Sequence, residues 1–254
     1  MRLIVAITGA SGAIYGIRLL EALREVPGAE VHLVISNGGK LNISLETGWA
    51  LKDVEALAHE VHSDQNLAAT VASGSFRTGG MIVAPCSMKT LSGIVNSYAD
   101  TLVVRAADVV LKEQRRLVLM PRETPLHAGH CRLLLQAAEM GAVIAPPMPA
   151  FYNDPQTVDD VINHNVGRVL DLFDIESGLV KRWKGVPREF PCLTTTWPGS
   201  ASCSRVTTPS PSRPPPTGAP GRPPCSTRAT RTSTSTSSPT CAHGTAGTCT
   251  GIRT

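Results

Sequence analysis

Five short runs of Val, Ile and Leu, each without polar alternation, are spaced between residues 2 and 147: RLIVAIT, EVHLVIS, GMIVAP, RLVLMP and AVIAPP. A strand wetted on one face alternates apolar with polar residues. A run that is apolar throughout must be covered on both faces, as happens in a parallel sheet sandwiched between helices. The segments between the runs supply those covers. IYGIRLLEALREV places Ile17, Leu20 and Leu23 on one side of a helix, and TLSGIVNSYA, VVRAADVVLKE, CRLLLQAAEM and VDDVINHNVGRVLDLF repeat apolar residues at the same period. Strand and helix in regular succession predict an α/β fold, a doubly wound parallel sheet in a three-layer sandwich, whose ligands sit beyond the carboxyl ends of the strands.

The pattern stops near residue 190. From Pro191 onward the chain is almost wholly Pro, Ser, Thr, Gly, Ala, Cys and Arg, with no Asp, Glu or Lys. Too few large apolar residues are present to offset the entropy of ordering it, and its prolines interrupt helices and sheets alike. Residues 1–190 are therefore read as the folded domain and 191–254 as a disordered, low-complexity tail. A linker or modification substrate would explain such a tail; so would a frameshift in a GC-rich gene, which we favour. The division changes the charge argument. The tail holds six arginines and no acid, so removing it takes the formal +4 of the whole chain to −2 for residues 1–190. A basic face for nucleic acid is not indicated. Five of the seven cysteines also fall in the tail, leaving Cys86 and Cys131, with no Cys-x-x-Cys pair. Neither a disulfide framework nor a thiolate zinc site is expected, and a reducing cytoplasm fits. The apolar runs are too short for a signal peptide or a membrane span.

Chemistry-bearing residues gather at the strand ends. Gly9, Ala10, Ser11, Gly12 and Ala13 follow the first run directly. Small residues there let backbone N–H groups and a helix N-terminus approach an anion such as a flavin or nucleotide phosphate. Tight strand-to-helix packing is the alternative. A dinucleotide fingerprint would read Gly-x-Gly-x-x-Gly with an acid after strand two, whereas here the glycines are Gly9, Gly12 and Gly16 and the second run ends in Ser36-Asn37. In APCSMKT, Ser87, Lys89 and Thr90 stand where an apolar strand gives way to a helix, and Ser87 could contact a ligand or cap its own helix. LMPRETP ends a further strand in Arg122-Glu123. Tyr152 lies in FYNDP, and Arg105 and Lys112 are two helical turns apart. Cations converging on one crevice imply an anionic substrate beside an anionic cofactor.

Taken together, TGASGAIYG, VIS, ASGS, PCSMKTLSGI, RAADVVLKE, PRETPLH and PAFY, in this order and spacing, resemble the flavin prenyltransferase family of the UbiX type. The resemblance spans roughly residues 2–185 and excludes the tail. It implies a flavodoxin-like or Rossmann-like fold, a dodecamer, and a metal-free reaction in which dimethylallyl phosphate alkylates reduced FMN at N5 and closes a fourth ring at C6. The product, prenylated FMN, serves UbiD-type decarboxylases. Carried onto this chain, the resemblance places FMN on Gly9, Ala10, Ser11, Ser36, Ser87, Met88, Lys89, Thr90 and Arg122. It places the prenyl phosphate on Arg105, Lys112, Tyr152 and Arg168. Fixed cations and a phenol would stabilise the leaving phosphate as an allylic cation forms. Glu123 would act as acid and base, with Ser11 close by.

Some members carry a tryptophan near the position held here by Leu67, which would stack on the prenyl group; this chain resembles those without it. His127 and His130 suggest surface or capping groups more than metal ligands, and Cys86 a small strand residue more than a nucleophile. Two other readings stand beside the first. Flavin-dependent cysteine decarboxylases share the fold but resemble PASANT where this chain reads PCSMKT, and they use an early catalytic histidine, a role for which His32 inside strand two is poorly placed. An inactive FMN-binding subunit of a phenolic acid decarboxylase is the other, and the Arg122-Glu123 pair argues against it.

Overall fold

The computed structural model describes residues 1–183 and Gly185. The reading of 191–254 as a disordered tail lies outside the described residues. Six strands form one parallel sheet: β1 (Arg2–Ile7), β2 (Glu30–Ile35), β3 (Glu60–Ser63), β4 (Gly80–Cys86), β5 (Arg116–Pro121) and β6 (Val143–Ile144), in the order β3-β2-β1-β4-β5-β6. The helices are α1 (Ala13–Arg24), α2 (Asn37–Glu46), α3 (Leu51–Glu55), α4 (Met88–Val95), α5 (Leu102–Lys112), α6 (Ala128–Glu139) and α7 (Val158–Asp171). Single 3₁₀ turns occupy Thr70–Ala72 and Phe151–Asn153.

The unalternated runs are covered on both sides, as a doubly wound sheet requires. Alternate residues of β1 serve opposite cores. Leu3, Val5 and Ile7 pack with Ile17 and Leu20 of α1 and with Val166 and Leu170 of α7, whereas Ile4 and Ala6 pack with Leu91 of α4 and with Val103, Ala106 and Val110 of α5. Burying each such Leu, Ile or Val contributes roughly 1.5–3 kcal/mol, so these two layers carry most of the cohesion.

Strand order reverses between β1 and β4: the chain winds outward one way through β2 and β3, then the other way through β5 and β6. The loops after β1 and β4 consequently diverge to opposite faces and leave a crevice at the carboxyl end of the sheet. Among the described residues, no helix is long and apolar enough to cross a membrane.

Candidate functional site: a pocket at the carboxyl ends of the strands

Five of the six strands, β1 to β5, lead into residues that line one crevice. Ser36 caps α2, its Oγ accepting from the Gly39 N–H at 3.1 Å. Ser87 caps α4, its Oγ accepting from the Thr90 N–H at 3.2 Å. Capping and ligand contact are therefore compatible, because Ser87 and Thr90 also line the pocket. Thr8, wholly buried, ties the two central loops: its Oγ1 donates to the Pro85 carbonyl at 2.8 Å and accepts from the Ser87 N–H at 2.8 Å.

The glycines of the first turn divide their work. A Cβ on Gly9 would stand 3.0 Å from the Gly38 Cα, and one on Gly38 would stand 2.8 Å from the Gly9 Cα, so the first two loops approach backbone to backbone. Gly12 has φ +101°, a left-handed conformation that costs a side-chain-bearing residue strain. Gly16 is a packing residue, since its Cβ would lie 2.4 Å from the Ala84 carbonyl oxygen.

The pocket has a volume of about 540 Å³, within the range of small-molecule sites. It gathers Gly9, Ala10 and Ser11 after β1, Ser36 after β2, Ser87, Met88, Lys89 and Thr90 after β4, and Arg122 and Glu123 after β5. Every residue assigned from sequence to the cofactor or to acid-base chemistry thus lines one cavity. The sequence reading missed the polar Asp64, Gln65, Asp100 and Thr101, which with Asn37, Gly38, Val103 and Val104 complete its wall. Asp64 is buried and caps α5, its Oδ1 accepting from the Val103 N–H at 3.1 Å and its carbonyl from the Leu102 N–H at 2.7 Å. A lone Asp in the polar run SDQN gave no signal of this, because its partner is nearly forty residues away.

Part of the first turn is already engaged within the protein. The N-terminus of α1 holds a carboxylate of the protein itself: Glu46 Oε2 accepts from the Gly12 N–H at 2.7 Å and from the Ala13 N–H at 3.4 Å. A ligand phosphate is therefore better served at the start of α4, where the first-turn amides of Met88 and Lys89 have no intrahelical acceptor and the Ser87 and Thr90 hydroxyls stand 3.0 Å apart. Arg122 reaches the environment of Tyr15, whose phenol is pushed above its usual range by burial, an effect the guanidinium partly opposes. The Glu123 carboxylate accepts from the N–H of Thr124 at 3.0 Å and is otherwise exposed.

The four residues assigned to the prenyl phosphate are not brought to the pocket within one chain. Arg105 directly follows the pocket-lining Val104, yet its guanidinium pairs with Asp108 at 3.0 Å. Lys112 pairs with Glu113, and Arg168 with Asp171 at 2.9 Å. Tyr152 lies against His164 and Trp183, with ring centroids 5.9 and 5.7 Å away. Leu67 is exposed and outside the pocket lining, His127 caps α6 by accepting from the Gly129 N–H at 3.0 Å, and the buried Cys86 thiol is pushed up to about 12, far from a nucleophilic thiolate.

Residues 1–170 match the Flavoprotein family. The flavin prenyltransferase UbiX of Salmonella typhimurium is 60% identical over 186 residues, which cover 72% of this chain and 98% of the relative, and its Escherichia coli K12 counterpart agrees to the same extent. The chain belongs to the UbiX flavin prenyltransferase family. Two solved structures extend the likeness. A dodecameric FMN-dependent UbiX-like decarboxylase from Escherichia coli O157:H7 superposes with a TM-score of 0.72 at 57% identity, covering 73% of this chain and all of that one. AnUbiX, crystallised with FMN and dimethylallyl pyrophosphate, gives 0.72 at 50% identity, covering 73% of this chain and 98% of its own. The UbiX likeness therefore spans the folded layers described above, and its extent agrees with the span read from the seven sequence segments.

Proposed function

We propose that the chain is a flavin prenyltransferase, joining the dimethylallyl group of dimethylallyl phosphate to reduced FMN at N5 and C6 to make prenylated FMN. The reading rests on one observation: the strand-end segments that resemble the family close on a single pocket of a size suited to the reactants. Reduced FMN supplies the nucleophilic positions. The protein supplies hydrogen-bond donors for the flavin phosphate at the start of α4, a guanidinium at Arg122, and a carboxylate at Glu123 that can accept the proton released from the ring or donate one to the departing phosphate. Ser11, on the same wall, orients that carboxylate.

Arg105, Lys112, Tyr152 and Arg168 reach the prenyl phosphate from neighbouring copies of the chain. Support comes from the exposure of Lys112, Tyr152 and Arg168, from the place of the part-buried Arg105 beside the pocket-lining Val104, and from the dodecameric assembly of the related structure. A UbiD-type aromatic acid decarboxylase in the cytoplasm would receive the product.

The deciding experiment is a mass spectrum of flavin extracted after anaerobic incubation with FMN, reductant and dimethylallyl phosphate. A gain of one C5 unit is expected. Because a related structure is described as an FMN-dependent decarboxylase, the same protein is given a phenolic acid with no prenyl donor; carbon dioxide release there, with no C5 gain, would replace the proposal by that second reading.

A further inference from the structure

On the edge of the sheet, away from the pocket, two buried histidines stand side by side. His32 on β2 and His62 on β3 are 1% and 7% exposed, and neither lines the pocket. The β2–β3 register pairs His32 with Glu60 and Val34 with His62, so the three side chains project on one face. His32 Nδ1 lies 3.0 Å from His62 Nε2 and 3.4 Å from Glu60 Oε2, and the three donor atoms all fall within 4.8 Å of one another. We propose that His32, His62 and Glu60 hold one divalent transition-metal ion of the zinc class. Tetrahedral Zn²⁺ with bonds of about 2.0–2.1 Å sets its ligand atoms roughly 3.3 Å apart, close to the two measured edges.

The surroundings favour this arrangement. His32 Nε2 lies 3.0 Å from Glu30 Oε1, and Arg2 in turn grips that carboxylate at 2.9 and 3.0 Å. An ionised Glu30 takes the Nε2 proton of His32 as donor, which leaves Nδ1 as a lone pair aimed at the other two ligands. Metal-bound histidines are oriented by a carboxylate in this way. Phe76 packs against His32 with ring centroids 5.0 Å apart, while the half-exposed Glu60 leaves that side open to solvent.

Without an ion, the same contact is a neutral hydrogen bond from His62 Nε2–H to His32 Nδ1; binding moves that proton to His62 Nδ1, which faces Glu60 Oε1 at 3.6 Å. An ion here staples β3, the edge strand, to β2. The consequence reaches the pocket, because β2 leads into Ser36 and β3 into Asp64 and Gln65.

Co²⁺ is the probe, titrated into the full-length chain after its thiols are blocked with iodoacetamide, since Cys131 is exposed and five further cysteines follow residue 190. The expected result is one Co²⁺ per chain with the visible absorption of a tetrahedral site, displaced by Zn²⁺ and accompanied by a higher melting temperature. Glu60→Gln, at the exposed end of the site, and Glu30→Gln should each weaken binding by about 10-fold to 100-fold. His62→Gln should abolish it, and His127→Gln with His130→Gln should leave it unchanged. Absence of stoichiometric binding, or binding that survives both Glu60→Gln and His62→Gln, would reduce the pair to a hydrogen bond and overturn the proposal.

Discussion

Thr8 and Ser87 join the two loops on either side of the point where strand order reverses: the Ser87 N–H donates to Thr8 Oγ1 at 2.8 Å, across a separation of 79 residues. The same hydroxyl donates to the Pro85 carbonyl at 2.8 Å. The β1 loop and the start of α4 are thereby held in one relative position, and both line the pocket.

Thr8→Val keeps shape but leaves the Ser87 N–H without its acceptor. An orphaned donor of this kind costs about 1–3 kcal/mol. Urea unfolding should show a loss of that size, and an FMN titration should show weaker binding, because the amides at the start of α4 lose their fixed direction. A variant that is destabilised with FMN affinity intact would mean that Thr8 supports the fold alone.

How much of this could be read from residues follows from which signals are local. The five unalternated runs became β1, β2, β4, β5 and, shortened to two residues, β6, because burial on both faces is written into each run by itself. The edge strand β3 was missed: EVHS is polar and short, and only pairing with β2 makes it a strand. Helix α2 was missed for the opposite reason. Asn37-Gly38-Gly39 looks like a loop, yet a Cβ on Gly39 would stand 2.4 Å from the Ile7 carbonyl oxygen, so the glycine is demanded by packing. The cofactor wall was legible because each of its members sits directly after a strand. Arg105, Lys112, Tyr152 and Arg168 could be assigned by resemblance but not located, since nothing in one chain says where a neighbouring copy stands.

Acid should loosen the junction between α7 and the segment after it. The Asp171 carboxylate takes two hydrogen bonds from Arg182, at 2.6 and 2.7 Å, and the first of its influences, the Arg182 hydrogen bonding, holds it below the usual range. A depressed folded-state value contributes stability that is present above the unfolded value of about 3.9 and lost as pH falls through the folded one. Arg182 is half-exposed, so solvent screening keeps the contribution small. Arg182→Met should raise the Asp171 titration midpoint toward 3.9, read by carboxyl NMR, and should flatten the acid limb of the stability curve. An unmoved midpoint would show that Arg168 alone sets it.

Replacing Arg105, Lys112 or Arg168 by Met should raise the dimethylallyl phosphate concentration needed for turnover while FMN binding stays as in the wild type. None of the three lines the pocket of its own chain. Mixed assemblies of Arg105→Met and Arg168→Met chains should therefore recover part of the activity that each variant lacks, if different copies contribute the two groups to one site. Loss of FMN from any single variant, or no recovery on mixing, would return the assignment to the sequence.

Glu123→Gln tests the chemistry most directly. The carboxylate lines the pocket beside Arg122 and, among the described residues, takes one hydrogen bond, from the Thr124 N–H at 3.0 Å. The amide retains that contact through its own oxygen, so shape and binding of both FMN and the prenyl phosphate should survive. Proton exchange should not. A positioned acid or base contributes about 10²-fold to 10⁴-fold in rate, roughly 3–5 kcal/mol of barrier, and the turnover of Glu123→Gln should fall by that factor with little change in either affinity. Ser11→Ala should slow the reaction less, because the proposed role of the hydroxyl is to position the carboxylate across the pocket and not to exchange the ring proton. The comparison is an anaerobic time course of flavin absorption and mass for the wild type and each variant. Wild-type rates in Glu123→Gln would exclude the side chain as the base and move that role to the departing phosphate, whose oxygens are the other basic groups the reaction brings into the pocket.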